Sequence, residues 1–207
     1  MAQVTTGFRA IFSHPAIYNL AQRMVGAERA RRLLVRDYFP PMQGLSMLDI
    51  GCGTAEILRH LPEQMEYSGF DASEAYIAEA RRAFGKRGSF RAELVSAATL
   101  DGMQRFDVVL AFGLLHHLGD EDAVSLFRLA AQALKPDGML ITMDPVFAPG
   151  QHPLARWLIS RDRGRCVRSP EGYQALARTS FPLVNHHLRS DMLNIPYSHS
   201  IMQCSLA

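Results

Sequence analysis

Apolar side chains repeat along this chain with two periods, and the switches between them mark out its elements. From Ala16 to Tyr38 the positions Ile17, Leu20, Met24, Ala27, Leu33 and Leu34 recur at helical spacing. This predicts one or two amphipathic helices, ended by Pro40 and Pro41. Short apolar runs then alternate with helical patterns. Strands are expected over Ser46 to Ile50, Met65 to Phe70, Ser89 to Leu94, Phe106 to Ala111 and Met139 to Met143; helices over Thr54 to His60, Ser73 to Phe84 and Glu121 to Leu134. Such alternation implies a parallel sheet covered on both faces, with ligands beyond the carboxyl ends of the strands. Past Pro145 the pattern changes. Helices are expected over Gln151 to Ser160 and Pro170 to Thr179, then two strands, Phe181 to Leu188 and Ile195 to Cys204, that could pair antiparallel.

Composition narrows this picture. At 207 residues and 48% hydrophobic content the chain has enough apolar material for one good core. The natural division is a helical cap over residues 1–44 and a main domain over 45–207, with a substrate-side insert at 145–169. A formal charge of +2 argues against a general nucleic-acid field. The three cysteines, Cys52, Cys166 and Cys204, are far apart and form no C-x-x-C pair, so neither zinc nor redox work is indicated and no metal is expected. Their number and spacing suit a reducing cytoplasm. No basic-then-apolar leader opens the chain, and the longest apolar run falls short of the roughly 18 residues of a membrane span.

The candidate chemistry starts at Met47-Leu48-Asp49-Ile50-Gly51-Cys52-Gly53-Thr54-Ala55-Glu56, a buried strand followed by a glycine turn. Dinucleotide sites place a third glycine where Glu56 stands, so that a pyrophosphate can sit on the helix N-terminus. Carboxylates at Asp49 and Glu56 would repel that group. They suit a ligand carrying an ammonium and a sulfonium and no phosphate, as S-adenosylmethionine does. Glu56 either faces such a ligand or its substrate, or is a solvated first-turn acid favoured by the helix dipole. Asp71 lies 20 residues after Gly51, where an acid can accept both hydroxyls of a ribose; its other reading is the N-cap of the next helix, a role open to Ser73 too.

With Tyr67-Ser68-Gly69-Phe70-Asp71-Ala72-Ser73, Phe106 to Leu118 and Leu134-Lys135-Pro136-Asp137-Gly138 following in order, the chain over about residues 45 to 145 resembles the class I S-adenosylmethionine-dependent methyltransferases, small-molecule branch. The resemblance implies an α/β fold: a three-layer αβα, doubly wound, seven-stranded and mostly parallel sheet with an antiparallel C-terminal strand, plus N-terminal helices. It implies cofactor contacts from Asp49, Gly51, Cys52 and Gly53, from Asp71 and Ala72, and from Phe112 and Gly113 after the fourth strand. Glu93 and Leu94 are the nearest equivalents of the adenine-side pair, where the match is poor.

Methyl transfer is an in-line displacement, so much of its catalysis is positioning. A base is needed when the acceptor is a hydroxyl, and a histidine oriented by a carboxylate serves. His116 and His117 follow the fourth strand and Asp144 ends the fifth, an order that looks like that of sugar-hydroxyl methyltransferases. His116 is then the base candidate, Asp144 its orienter and His117 a positioning or substitute base; the bland reading is a ring that caps a turn or lines the pocket. Arg156, Arg161, Arg163, Arg165 and Arg168 crowd the insert around Trp157, as charges solvated or paired with Asp162, or as a grip on an anionic or phosphate-bearing acceptor. His14, Tyr18, His152, Tyr197 and His199 are lid or pocket candidates. No N-P-P-Y-like sequence follows the fourth strand, so DNA is not an expected substrate. The reading from sequence is a small-molecule methyltransferase acting on a sugar, glycosylated or phenolic hydroxyl; the alternative is a cofactor-binding partner without catalysis.

Overall fold

In the computed structural model, residues 25–41, 44–162 and 164–207 are described. His14, Tyr18, Arg163 and the first part of the N-terminal helical pattern lie outside them. The elements run α1 (Ala27–Tyr38), β1 (Ser46–Ile50), a 3-10 helix (Glu56–His60), β2 (Glu66–Phe70), α2 (Glu74–Phe84) and β3 (Gly88–Arg91). Then come α3 (Ala97–Leu100), β4 (Phe106–Phe112), a 3-10 helix (Leu115–His117), α4 (Asp120–Ala133) and β5 (Leu134–Pro145). The chain closes with α5 (Pro153–Ser160), α6 (Pro170–Ala177), β6 (Leu183–Arg189) and β7 (His199–Ser205).

The seven strands form one sheet in the order β3-β2-β1-β4-β5-β7-β6. The first five are parallel, and β7 runs antiparallel to both β5 and β6. Side chains alternate between the two sides of a strand, and this divides the core into two. Met47, Val108 and Leu110 face α1 and α2 together with Tyr67, Ile77 and Phe84. Leu48, Val109 and Ala111 face α4 and α6 together with Phe127, Tyr173 and Phe181. The outcome is the three-layer αβα sandwich. Strand order reverses between β1 and β4, and there the carboxyl ends open a crevice.

Several element boundaries differ from expectation. The helix expected over Thr54 to His60 is a 3-10 helix of five residues. Gly51, Gly53 and Ala55 all have positive φ, at 78°, 55° and 55°, so the chain coils through the turn and leaves no room for a full helix. Strand β3 stops at Arg91, so Glu93 and Leu94 lie beyond it and are exposed. Strand β5 starts five residues early, because Leu134 already pairs with Phe106 across a register shift. Helix α5 starts at Pro153, where the missing N–H costs nothing, and the His152 ring accepts from Leu154 N at 3.1 Å. Strand β7 begins at His199, later than the expected Ile195.

Candidate active site

The crevice has a turn-side half, built from the β1 and β2 ends. Gly51 N and Cys52 N both donate to Phe70 O, at 2.7 and 3.0 Å, which folds the turn back over β2. Asp71 locks it further: one carboxylate oxygen accepts from Gly53 N at 3.0 Å, the other from Ser73 N at 2.8 Å. Ser73 is the N-cap of α2, its hydroxyl accepting from Tyr76 N at 3.3 Å. The capping reading of Asp71 therefore passes to Ser73. Each Asp71 oxygen still has a lone pair to offer.

Asp49 is buried at the end of β1. One of its oxygens accepts from the Tyr67 hydroxyl at 2.6 Å, and the other has no hydrogen-bond partner. Burial raises its pKa to about 7, against the hydrogen bond from Tyr67. A buried carboxyl with an unsatisfied oxygen is a place for a cation. Beside it, a Cβ on Gly53 would meet nothing within 4 Å. The residues thus fit S-adenosylmethionine by an orphaned acceptor for an ammonium and an open cradle at the turn. Glu56 is held by Arg59 at 2.7 Å across one turn, which gives it a local partner. Glu93 faces Arg91 at 3.6 Å, and Leu94 is 56% exposed.

The second half is built from side chains far apart in sequence. The parallel pairing of Phe112 with Met143 sets the ends of β4 and β5 side by side, and His116 and Asp144 meet there. Asp144 Oδ1 takes the His116 backbone N–H at 3.1 Å and lies 2.8 Å from Nδ1 of the ring. A carboxylate only accepts, so Nδ1 carries the proton and Nε2 of the neutral ring is left basic. Nε2 faces Asp162 Oδ1 at 3.8 Å, and the Tyr197 hydroxyl donates to Asp162 Oδ2. His117 is exposed, its ring centroid 4.0 Å from that of His116. His199 is buried next to this group, its pKa pushed down to about 3 by burial and by His116, and is neutral there.

The two halves touch. A Cβ on Gly51 would meet Leu114 at 3.2 Å, and one on Gly113 would lie 3.9 Å from Cε1 of His116. Residues of the insert press on the histidine from the other side. A Cβ on Gly164 would overlap the His116 ring and come within 2.7 Å of its carbonyl oxygen; Cys166 N donates to that oxygen at 2.9 Å. Arg168 clamps the same turn, donating to Leu115 O at 3.0 Å and Leu118 O at 2.8 Å and pairing with Asp120 at 2.7 Å. The arginine crowd expected around Trp157 is therefore dispersed. Arg161 stacks on Trp157 at 5.2 Å, Arg156 on Phe147 at 5.1 Å, and Arg168 holds backbone.

A cavity of about 460 Å³ lies beyond the ends of β5 and β6, lined by Ala148, Pro149, Gln151, His152, Tyr197 and Ser198 among others. Tyr197 is the wall it shares with Asp162. His152 and Tyr197, named from sequence, line it; Asp162, Gly164 and Arg168 in their positioning roles were not foreseen. No spacing rule links Asp162 to a histidine 46 positions earlier, and a single glycine carries no mark of what packs on it.

Known proteins resemble this chain in the same region. A family model described as a methyltransferase domain matches residues 48–140. The ubiquinone biosynthesis O-methyltransferase of Caulobacter vibrioides is 33% identical over 108 residues, which are 48% of this chain and 40% of that protein. The chain thus aligns with less than half the length of that curated relative. The pyocyanin biosynthetic protein PhzM superposes with a TM-score of 0.74 at 17% identity, over 98% of this chain and 62% of that one. Human N-acetylserotonin methyltransferase, solved with S-adenosylmethionine, gives 0.69 at 16%, over 97% and 59%. At these identities the structures share the fold.

Proposed function

We propose that the chain, whose residues 48–140 match a methyltransferase-domain model and whose fold is that of solved methyltransferases, is a class I S-adenosylmethionine-dependent methyltransferase that transfers a methyl group to a hydroxyl oxygen of a small molecule. The observation that carries this is the 2.8 Å contact of His116 Nδ1 with buried Asp144, set against the glycine turn. Asp49, Gly51, Gly53 and Asp71 would hold the cofactor, with Cys52, Ala72, Phe112 and Gly113 lining its bed. When bound, it supplies a methyl carbon activated by a sulfonium. Asp144 fixes the His116 tautomer, so that Nε2 takes the acceptor's proton and the resulting imidazolium is stabilised by two carboxylates, Asp144 and Asp162. The insert packs on the histidine through Gly164 and Cys166 and leaves it 6% exposed.

Within this reading the acceptor is a sugar or phenol hydroxyl, which holds its proton at neutral pH and so needs a base. The mixed apolar and hydroxyl lining of the cavity supports a ring of that size. An anionic acceptor has less support, because Arg168 is taken up by backbone carbonyls and Asp120.

The test pairs calorimetry with turnover. S-adenosylmethionine and S-adenosylhomocysteine should bind in roughly the micromolar range, and a panel of phenol and glycoside acceptors should reveal transfer that His116→Ala removes. Binding with no transfer to any acceptor would leave a cofactor-binding partner, the alternative class.

A further inference from the structure

Helix α5 presents its apolar side chains on both faces. Ala155 and Ile159 are buried against the fold, while Leu154 and Trp157, three residues apart, are 45% and 53% exposed. Arg161 follows Trp157 by four positions and stacks on its ring, and Arg156 lies on the next ridge; both arginines are exposed. From Val146 to Arg161 the sequence holds no Asp or Glu at all. Asp162, the first acid after this stretch, points inward to Tyr197 and His116. The other exposed leucines have different settings: Leu94 lies in a loop, and Leu183 and Leu188 lie on the edge strand β6, among His186, His187 and Arg189.

A solvent-facing Trp and Leu rimmed by guanidinium groups, with no carboxylate among them, have the composition of an interfacial helix. Trp is suited to the headgroup level, where its ring is half wet. Arginine phosphate contacts complement an anionic lipid surface. We propose that the α5 face docks on anionic phospholipid membranes, with Leu154 and Trp157 at the headgroup boundary and Arg156 and Arg161 on lipid phosphates. Contact through one short helix is reversible and peripheral. No helix among the described residues is long and apolar enough to cross a membrane. The proposal does not depend on the reaction assigned above.

Trp157 is the only tryptophan in the chain, so its emission reports on this face alone. The purified full chain is mixed with vesicles of phosphatidylcholine and with vesicles of equimolar phosphatidylcholine and phosphatidylglycerol, and both sedimentation and Trp emission are read. The expected result is binding to the anionic vesicles with a blue shift, weakened by salt. Arg156→Gln and Arg161→Gln should each lower partitioning roughly fivefold, and Leu154→Ser should lower it by on the order of tenfold. Leu183→Ser, on the edge strand, should change nothing. If a variant misfolds by circular dichroism, the lipid and salt dependence of the wild-type emission still decides. Absence of a lipid-dependent shift in the wild type overturns the proposal. So does binding that survives Leu154→Ser combined with Arg161→Gln, or self-association on that face that the same changes abolish.

Discussion

The turn-side half of the crevice and the insert-side half reach comparable order by opposite means. On the turn side the groups that meet are close in sequence: Gly51, Cys52 and Gly53 fold onto Phe70 and Asp71 by backbone bonds, and backbone shape does most of the work. On the insert side His116, Asp144, Asp162 and Tyr197 span 81 positions, and only tertiary packing joins them. A site of the first kind should fail in ligand affinity when damaged. One of the second kind should fail in turnover or in local stability.

The sharpest division is expected at His116. His116→Ala should lower kcat by about 10²- to 10⁴-fold, the usual span of a general base, with cofactor affinity by calorimetry nearly unchanged. A matching loss of affinity would mean that the two halves are one unit and would break the comparison. Asp144→Asn should follow in the same direction, because an amide no longer fixes the tautomer.

Gly164 separates packing from chemistry within the insert half. A methyl there overlaps the His116 ring, so Gly164→Ala should cost about 1–3 kcal/mol of stability as over-packing. Thermal or urea unfolding checks this, and kcat should fall with it. If stability holds while kcat falls, the loop yields and the histidine alone is displaced.

On the turn side, Asp71→Ala removes the acceptor proposed for the two ribose hydroxyls together with the bonds from Gly53 N and Ser73 N. Affinity for S-adenosylmethionine should weaken roughly 10- to 100-fold, the range for hydrogen bonds to a charged group. At saturating cofactor, kcat should recover. Failure to recover would show that the turn also positions the acceptor half.

The same contrast explains what could be read from the amino-acid sequence. The alternation of strands and helices follows from apolar period, which survives without knowledge of any partner, whereas the doubly wound order and the antiparallel end come with the family resemblance. Asp49, Asp71 and the glycines are legible because their spacing is set by one strand, one turn and the next strand. The His116 and Asp144 pair was reachable because both stand at ends of neighbouring parallel strands. Asp162 and Gly164 were not, since the insert has no regular period and its course is set by what it packs on. Arg168 shows the same loss in another way. It sits in a run of arginines that composition treats as alike, yet its side chain is 11% exposed and clamps three carbonyls of the loop system. The helix that the Thr54 to His60 pattern predicts is a 3-10 helix from Glu56, because the positive φ of Ala55 has no marker in its side chain.

The mildest expected effect concerns Asp49. Its carboxyl titrates near 7 because burial disfavours the charge, whereas a cationic ligand group favours it. Protons and cofactor therefore compete. Affinity should fall about tenfold per pH unit below that pKa and level off above it. The sign for the unliganded fold is opposite. A carboxyl whose folded pKa is raised stabilises the fold most fully below its unfolded value, and that contribution is lost as pH rises through about 7. Saturating cofactor should offset this loss, so liganded and free protein should diverge in thermal stability as pH rises through that range. Asp49→Asn should flatten both curves while leaving the His116-dependent pH profile of turnover in place. Were the Asn variant to shift that turnover profile instead, the two halves would be electrostatically coupled, and the division between a turn that binds and an insert that reacts would have to be redrawn.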